Sequence, residues 1–311
     1  MKTAEQGRMG ERHRARNWPG LSYAVLAVFL FSWSPVLIRL AAPLSAPEIT
    51  FGRLSVAALA LFVLAKIRGI DLTLSRSGWL KLSLYGLVTS LHFLLYIASL
   101  SFTTIAHSLS IVYTAPIFTT LLSAWWLREN IPRRSYLGIG VAAAGVAILT
   151  GLEPAMSPTM FRGDLLALGS AVCFGFYSVV GRRERDNYDV AKYATYVYGL
   201  AAAWLLPAAI IGYSGQQSPQ RLLAVMALGI FPLAIGHTLY NIGLRRTHAT
   251  YVNLVATQEV TGGVLLGYLL LAETPGPQSL LGAGLALLGV ALVVGAGTTV
   301  SRKTQLEPGH S

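Results

Sequence analysis

The sequence predicts an all-α integral membrane protein with ten transmembrane helices, arranged as two inverted five-helix repeats. Three observations support this fold class: the composition, ten apolar runs of membrane length, and a self-match at a fixed offset of 144 residues. Of the 311 residues, 54% are hydrophobic and only 12% are charged, whereas soluble domains carry about 25% charged residues. The composition therefore argues against an ordinary soluble domain.

Ten apolar runs approach the roughly twenty residues that a helix needs to cross a bilayer. They cover roughly residues 18–41, 46–66, 79–101, 104–127, 135–151, 163–181, 190–212, 222–244, 250–271 and 278–297. Pro35 and Pro116 lie inside the first and fourth runs, where proline removes a backbone donor and is expected to kink the helix. The connections are short, and residues 1–17 and 298–311 are predicted to be polar cytoplasmic tails.

The basic residues alternate between the two predicted faces of the membrane. If the N-terminus is cytoplasmic, the inner segments hold 20 Lys and Arg, and the outer segments hold three, which are Arg39, Arg162 and Arg221. The positive-inside rule then places both termini in the cytoplasm. The net charge of +11 is thereby interpreted as a topology signal, and without a basic-aromatic motif we expect no nucleic-acid partner.

An internal repeat relates the two halves, 18–151 and 163–297. At the offset of 144 residues, Leu127, Glu129, Ser135, Gly138 and Gly145 match Leu271, Glu273, Ser279, Gly282 and Gly289. Each half contains five runs, and because five is odd the halves enter the membrane from opposite sides. In inverted repeats of this kind, substrate sites lie near the midplane between the halves.

Several kinds of chemistry have no sequence support. A single cysteine, Cys173, leaves no internal disulfide and no cysteine metal cluster. The phosphate-binding pattern GxxxxGK[ST] does not occur, so direct coupling to ATP is not expected. Metal clusters and nucleophile motifs are also lacking, and we therefore expect no cofactor, no metal and no catalytic residue.

Two charged residues lie inside apolar runs. Glu259 is in the interior of the stretch Asn253–Glu273, NLVATQEVTGGVLLGYLLLAE, and Arg53 is in the second run. A charge in hydrocarbon costs several kcal/mol unless it faces protein, water or a partner. The pair could form a structural ion pair. Alternatively, Glu259 binds a substrate ammonium or a proton, while Arg53 binds a carboxylate or belongs to an outer gate.

Uncharged polar residues mark further candidates for a substrate site. Tyr85, Thr89, His92, Tyr96, Ser99 and Thr103 recur at spacings of four and three, which places them on one face of the third helix. The full set of substrate-binding candidates is Trp33, His92, Tyr96, Ser99, His107, Ser110, Tyr113, Tyr177, His237, Asn241, Gln258 and Glu259. The alternative for a single hydroxyl is a hydrogen bond between helices, and for each histidine it is hydrogen-bonded packing, with proton coupling left open.

The ends of the fourth and ninth runs carry a recognisable pattern. They read YTAPIFTTLLSAWWLREN and TQEVTGGVLLGYLLLAET, and with ten spans in two inverted halves the chain resembles the EamA branch of the drug/metabolite transporter superfamily. Glu259 matches a family glutamate, Val260 stands where the family has proline, and Arg53 matches a frequent family arginine. The resemblance implies a bacterial inner-membrane exporter, similar to aromatic amino-acid exporters, with a central cavity lined by spans one, three, four, six, eight and nine.

The sequence thus predicts a secondary transporter that exports small amphipathic metabolites by alternating access. Aromatic or hydrophobic amino acids, or their derivatives, are the expected substrates, and the lipid bilayer is the expected environment of a monomer or homodimer. Two alternatives remain open: a passive facilitator of the same solutes, and an intramembrane enzyme that uses Glu259 and a histidine as an acid–base pair.

Overall fold

The computed structural model describes residues 20–126, 132–154, 156–184, 187–246, 252 and 255–306. Within these residues the chain is helical between short connections, and it contains no strand. Ten helices follow one another: α1 (Gly20–Ala41), α2 (Ala46–Ile67), α3 (Arg76–Leu100), α4 (Ile105–Trp126), α5 (Arg133–Gly151), α6 (Pro158–Glu184), α7 (Val190–Ile211), α8 (Pro219–Gly243), α9 (Glu259–Leu271) and α10 (Pro277–Leu306). They correspond in order to the ten predicted runs, and the all-α membrane fold is confirmed.

Nine of these helices are long and apolar enough, within the described residues, to cross a membrane. The exception is α9, with 13 residues, because a turn at residues 257–258 precedes it and because residues 250–251 and 253–254 of the predicted ninth run lie outside the described residues. The predicted tail 1–17 also lies outside them, while α10 continues as a helix to Leu306. The predicted boundaries of the two repeats stay predictions.

The two expected proline kinks are present. In α1 the helix breaks at Trp33, and Pro35 lies in the first turn of the second segment, Ser34–Ala41. In α4 the break falls at residues 113–114, and Pro116 is the second residue of the second segment, Ala115–Trp126. Proline is tolerated in the first turn of a helix, where its missing N–H would have no partner anyway, so each span restarts with its proline in the first turn.

Two further irregularities were not expected. In α8 a π-helical segment, Gly229–Gly236, surrounds Pro232. A turn at residues 257–258 precedes α9 although Val260 replaces the family's proline. The resemblance places six spans around a cavity, and four of them are irregular. They are α1 and α4, which are broken, α8, which contains the π-helical segment, and α9, which follows a turn.

The odd-numbered connections lie together at one end of the bundle, here called the predicted outer end. Among the described residues it comprises 42–45, 101–104, 152–154, 156–157, 212–218 and 272–276. Arg39 Nη2 donates to the carbonyl oxygen of Thr103 (2.9 Å), and Gln217 Nε2 donates to Glu48 (2.7 Å). Successive connections therefore alternate between the two ends of the bundle, as the count of Lys and Arg requires. The assignment of this end to the outside rests on that count.

The helices α5 and α10 make a close and reciprocal contact. A Cβ atom added to Gly145 would lie 2.3 Å from the backbone nitrogen of Ala286, and one added to Gly289 would lie 2.3 Å from that of Ala142. These two contacts are related by the same offset of 144 residues as the sequence repeat. Small residues permit such backbone approach in membranes, and the reciprocity is that of a two-fold relation between halves.

Candidate functional site

Arg53 is a buried cation near the middle of the bundle. Its side chain is 2% exposed, and its guanidinium carbon lies 4.5 Å from the centroid of the Phe93 ring on α3. Two of its nitrogens, Nε and Nη1, are buried without a hydrogen-bond partner among the described residues. A buried donor without a partner costs about 1–3 kcal/mol, and more when it is charged. The cation is therefore held in place by the fold but is incompletely satisfied.

Glu259 is the first residue of α9, directly after the turn at residues 257–258, and it is 7% exposed. The hydroxyl of Tyr113 donates a hydrogen bond to its carboxylate. Because Tyr113 lies in the break of α4, this bond joins two interrupted helices. Arg53 is close enough for its charge to interact with Glu259, yet the described residues contain no direct salt bridge between them.

Aromatic rings occupy the space around these two charges. The ring centroid of His237 lies 4.9 Å from that of Phe31, 6.3 Å from that of Phe93 and 6.4 Å from that of Tyr198. His92 stacks on Phe174 at 4.7 Å. We call Arg53, His92, Phe93, Tyr113, His237 and Glu259 the central cluster. It presents one cation, one carboxyl group and several aromatic faces.

His92 is fixed by hydrogen bonds as well as by stacking. Its Nδ1 lies 2.9 Å from the hydroxyl of Ser170, and that hydroxyl is also 2.9 Å from the carbonyl oxygen of His92. The two helices α3 and α6 are thereby joined at one residue pair. This geometry favours packing over proton transfer for His92.

The remaining candidates are divided among several environments. Tyr96 is buried beside Arg53 and Glu259. Ser99 bonds to Ser108 at 2.6 Å, whereas the buried hydroxyl of Ser110 meets no hydrogen-bond partner in the part of the chain that the structure describes. The other positions follow. Tyr177 lies 6.2 Å from Phe174, Trp33 and Asn241 are half-buried, and exposed Gln258 accepts a hydrogen bond from Thr261.

Three residues named from the sequence, Leu127, Glu129 and Asn253, lie outside the described residues. One helix contributes to the central cluster beyond the six implied by the resemblance, since Arg53 comes from α2. Tyr198 of α7 borders the cluster, with its ring centroid 6.4 Å from that of His237. The site is thus built by more spans than the resemblance suggested.

His107 belongs to a different site, which the sequence analysis missed. It is fully buried, and its Nδ1 lies 3.0 Å and 3.2 Å from the two carboxylate oxygens of Asp164. Its Nε2 lies 3.3 Å from the hydroxyl of Ser279 and 3.6 Å from Glu153. The Thr103 hydroxyl donates to Asp164 at 2.8 Å. We call Thr103, His107, Glu153, Asp164 and Ser279 the outer cluster.

One sequence signal could have revealed the outer cluster. Asp164 lies just inside the start of the sixth apolar run, and it was not among the predicted site residues. Its partners come from elements 57 or more residues away, so neither spacing nor periodicity links them. A carboxylate inside a membrane segment is a candidate for a functional site by itself.

Comparisons with known proteins identify a family with this architecture. The EamA-like transporter family matches residues 18–151 and 161–295. The "pseudopaline exporter CntI" of Pseudomonas aeruginosa is 25% identical over 88% of this chain and 93% of its own length. A "probable terminal-alkyne amino-acid exporter" of Streptantibioticus cattleyicolor is 26% identical over 59% of this chain and 62% of its own.

Two other similarities complete the comparison. An "uncharacterized transporter" of Archaeoglobus fulgidus is 28% identical over 59% of this chain and 66% of its own length. A solved crystal structure superposes with a TM-score of 0.66 at 20% identity, covering 93% of this chain and 99% of the other. Because the family matches both halves over most of the sequence, this chain belongs to the EamA-like transporter family and is a multi-pass membrane transporter of the drug/metabolite type.

Proposed function

We propose that the protein is a secondary exporter of small zwitterionic metabolites, namely amino acids with aromatic or hydrophobic side chains, or their derivatives. One observation carries this proposal: Arg53 is buried with two nitrogens that have no partner within the described ranges, beside aromatic rings and within electrostatic range of Glu259. A site with a free cationic donor suits an anionic ligand group, because the ligand satisfies donors that the protein leaves open.

Each part of an amino acid has a counterpart in the central cluster. The carboxylate would bind the guanidinium of Arg53 through charge-assisted hydrogen bonds. The ammonium would bind Glu259, whose carboxylate is oriented by Tyr113. The faces of Phe31, Phe93 and Phe174 surround the histidines nearby and offer apolar contact to the substrate side chain.

The broken helices suit alternating access. Breaks at Trp33 and residues 113–114 and the turn at 257–258 place helix ends at membrane depth, as in transporters whose substrate sites lie between inverted repeats. The names of two relatives support export as the direction, since one is an exporter of pseudopaline and one a probable exporter of an amino acid. The proposed location is a bacterial inner membrane with both termini cytoplasmic.

Counterflow in proteoliposomes tests the proposal. We expect saturable uptake of labelled aromatic and branched-chain amino acids, but not of nucleobases. Competition should require both charged groups of the substrate. An amino-acid amide, which lacks the carboxylate, and an N-acetyl amino acid, which lacks the ammonium, should each compete at least about tenfold more weakly, because a charge-assisted bond contributes about 1.5–3 kcal/mol.

A matched pair of variants assigns the carboxylate contact. Arg53→Met should reduce counterflow by tenfold or more and remove the preference for the acid over its amide. Arg162→Met is the control, because Arg162 also lies over a phenylalanine ring, Phe102, at 5.3 Å, but is exposed at the predicted outer end. Equal selectivity in both variants would refute the assignment.

The passive facilitator is separated by an imposed pH gradient. In a coupled exporter the pH gradient drives the substrate against the substrate concentration gradient. Flux that runs only down the substrate concentration gradient favours a facilitator. The enzyme alternative predicts a chemically altered product, which chromatography of the transported label would reveal.

A further inference from the structure

The hydrogen-bond donors and acceptors around His107 can be assigned. A serine hydroxyl has one hydrogen, and that of Ser279 is donated to Glu153 Oε2 at 2.5 Å. Toward His107 Nε2, at 3.3 Å, the same oxygen therefore offers a lone pair. On the other side of the ring, Nδ1 faces both carboxylate oxygens of Asp164. Both ring nitrogens meet acceptors, and only the doubly protonated ring donates from both.

The charges of the outer cluster lead to the same assignment. With a protonated His107, the group of His107, Asp164 and Glu153 carries one net negative charge, and without that proton it carries two. His107 is fully buried, Asp164 is 4% exposed and Glu153 is 10% exposed. Two carboxylates in such a site repel each other unless a cation lies between them.

Further charged groups surround the outer cluster. Arg39 of α1 forms an ion pair with Glu273 (3.4 Å), which follows α9, and Glu273 accepts a hydrogen bond from the backbone of Ile105. Arg162 of α6 lies over Phe102. From α10, the outer cluster receives only the uncharged side chain of Ser279 within the described residues. Within the described residues, the charged groups that these contacts link to the outer cluster are thus Asp164, Glu153, Glu273, Arg39 and Arg162.

The position of the outer cluster links separate helices. His107 is in the first turn of α4, Asp164 in the second turn of α6, Ser279 in the first turn of α10, and Glu153 in the connection after α5. Every member lies at the predicted outer end. Contacts between these groups therefore hold together the ends through which an exported substrate would leave.

We propose that the outer cluster is a proton-binding site that keeps the predicted outer end closed, and that loss of the proton opens it. The occupied site is an imidazolium between two carboxylates, and the empty site is a pair of repelling carboxylates that favours separation and hydration. This inference rests on the proposed function, because it names what regulates access from outside to the central cluster.

Distances between spin labels test the proposal without any substrate. Cys173, the single cysteine, is replaced by serine, and labels are attached through Phe161→Cys on α6 and Leu280→Cys on α10, which are 52% and 53% exposed. In lipid nanodiscs between pH 5 and pH 8, the fraction of molecules with the longer distance between the two labels should increase as the pH rises. A single released proton limits the change in the ratio of long to short distance to about tenfold per pH unit.

Variants localise the effect to the outer cluster. His107→Gln and Asp164→Asn should each abolish the pH dependence. Glu48→Gln is the control, since Glu48 is a carboxylate at the same end but bonds to Ser45, Ser214 and Gln217. The distance distribution of this variant should keep the pH dependence of the parent. If one variant fails to fold, the other, together with Ser279→Ala, carries the test.

Two results would overturn the inference: a distance distribution in the parent that does not change with pH, or a pH dependence that persists in both His107→Gln and Asp164→Asn. Failure of the proposed function is seen separately. A protein that shows the pH-dependent distance change but no amino-acid counterflow retains the proton site and loses the substrate assignment. One that shows counterflow without the distance change loses only the proton site.

Discussion

The central cluster and the outer cluster are two buried charged sites of opposite character. In the outer cluster both nitrogens of His107 face acceptors, and the hydroxyls of Thr103 and Ser279 are used. In the central cluster two nitrogens of Arg53 have no hydrogen-bond partner in the described part of the chain. A satisfied network stabilises the fold that contains it, whereas an unsatisfied donor stores a cost that a ligand can remove. Satisfaction of polar groups, more than burial, distinguishes the two sites.

The largest expected effect is on the outer cluster. Asp164→Ala should lower the free energy of unfolding by about 3–5 kcal/mol, because it leaves a buried histidine without its carboxylate partner. Denaturant titration in detergent measures the change. The control is Asp71→Ala, where the carboxylate is exposed and 3.6 Å from Lys192, and surface pairs contribute about 0–1 kcal/mol. Equal losses in both variants would remove the distinction between a satisfied buried network and a surface pair.

The central cluster should respond in the opposite direction. Arg53→Met removes an unsatisfied buried cation while keeping an apolar side chain over Phe93, so the free energy of unfolding should stay constant or rise by about 1–3 kcal/mol. Arg39→Met should lower it instead, because Arg39 donates to the carbonyl oxygens of Leu100 and Thr103 and pairs with Glu273. The same denaturant titration measures both variants. If Arg53→Met lowered the free energy of unfolding as much as Arg39→Met, the contrast between the two clusters would be contradicted.

The smallest effect concerns neutral hydroxyls on α3 and α4. Ser99→Ala breaks the bond to Ser108 and should cost about 0.5–1.5 kcal/mol. Ser110→Ala removes a buried hydroxyl that has no partner, and should be neutral or slightly stabilising. Thermal unfolding of the two variants side by side shows whether partnered and unpartnered groups differ without a formal charge. Indistinguishable midpoints would mean that the contrast is confined to charged residues.

Much of the fold could be predicted from residue patterns, since the bilayer requires long apolar helices. The ten runs, the alternation of ends and the breaks near Pro35 and Pro116 follow from local rules of hydrophobicity, charge and backbone chemistry. The turn before Glu259 does not, because no proline marks it. It arises where Glu259 bonds to Tyr113 of another helix, which is a tertiary contact.

The candidate sites show the same division. Arg53 and Glu259 were found because a charge is conspicuous in an apolar run. Phe31, Phe93 and Phe174 were not, because phenylalanine is ordinary in a membrane helix and only the fold brings these rings around the histidines. His107 was predicted as part of the central site, and the structure instead places it at the predicted outer end with Asp164.

The breaks in α1 and α4 and the turn before α9 have a kinetic consequence. Their segments toward the predicted outer end, Ser34–Ala41, Ile105–Val112 and Glu259–Leu271, are joined to one another, since Glu273 bonds both Arg39 and the backbone of Ile105. Three segments tied in this way cannot bend one at a time without breaking those bonds. Their movement would be concerted, with one activation barrier shared by three hinges, so that stiffening any single hinge would slow the whole step.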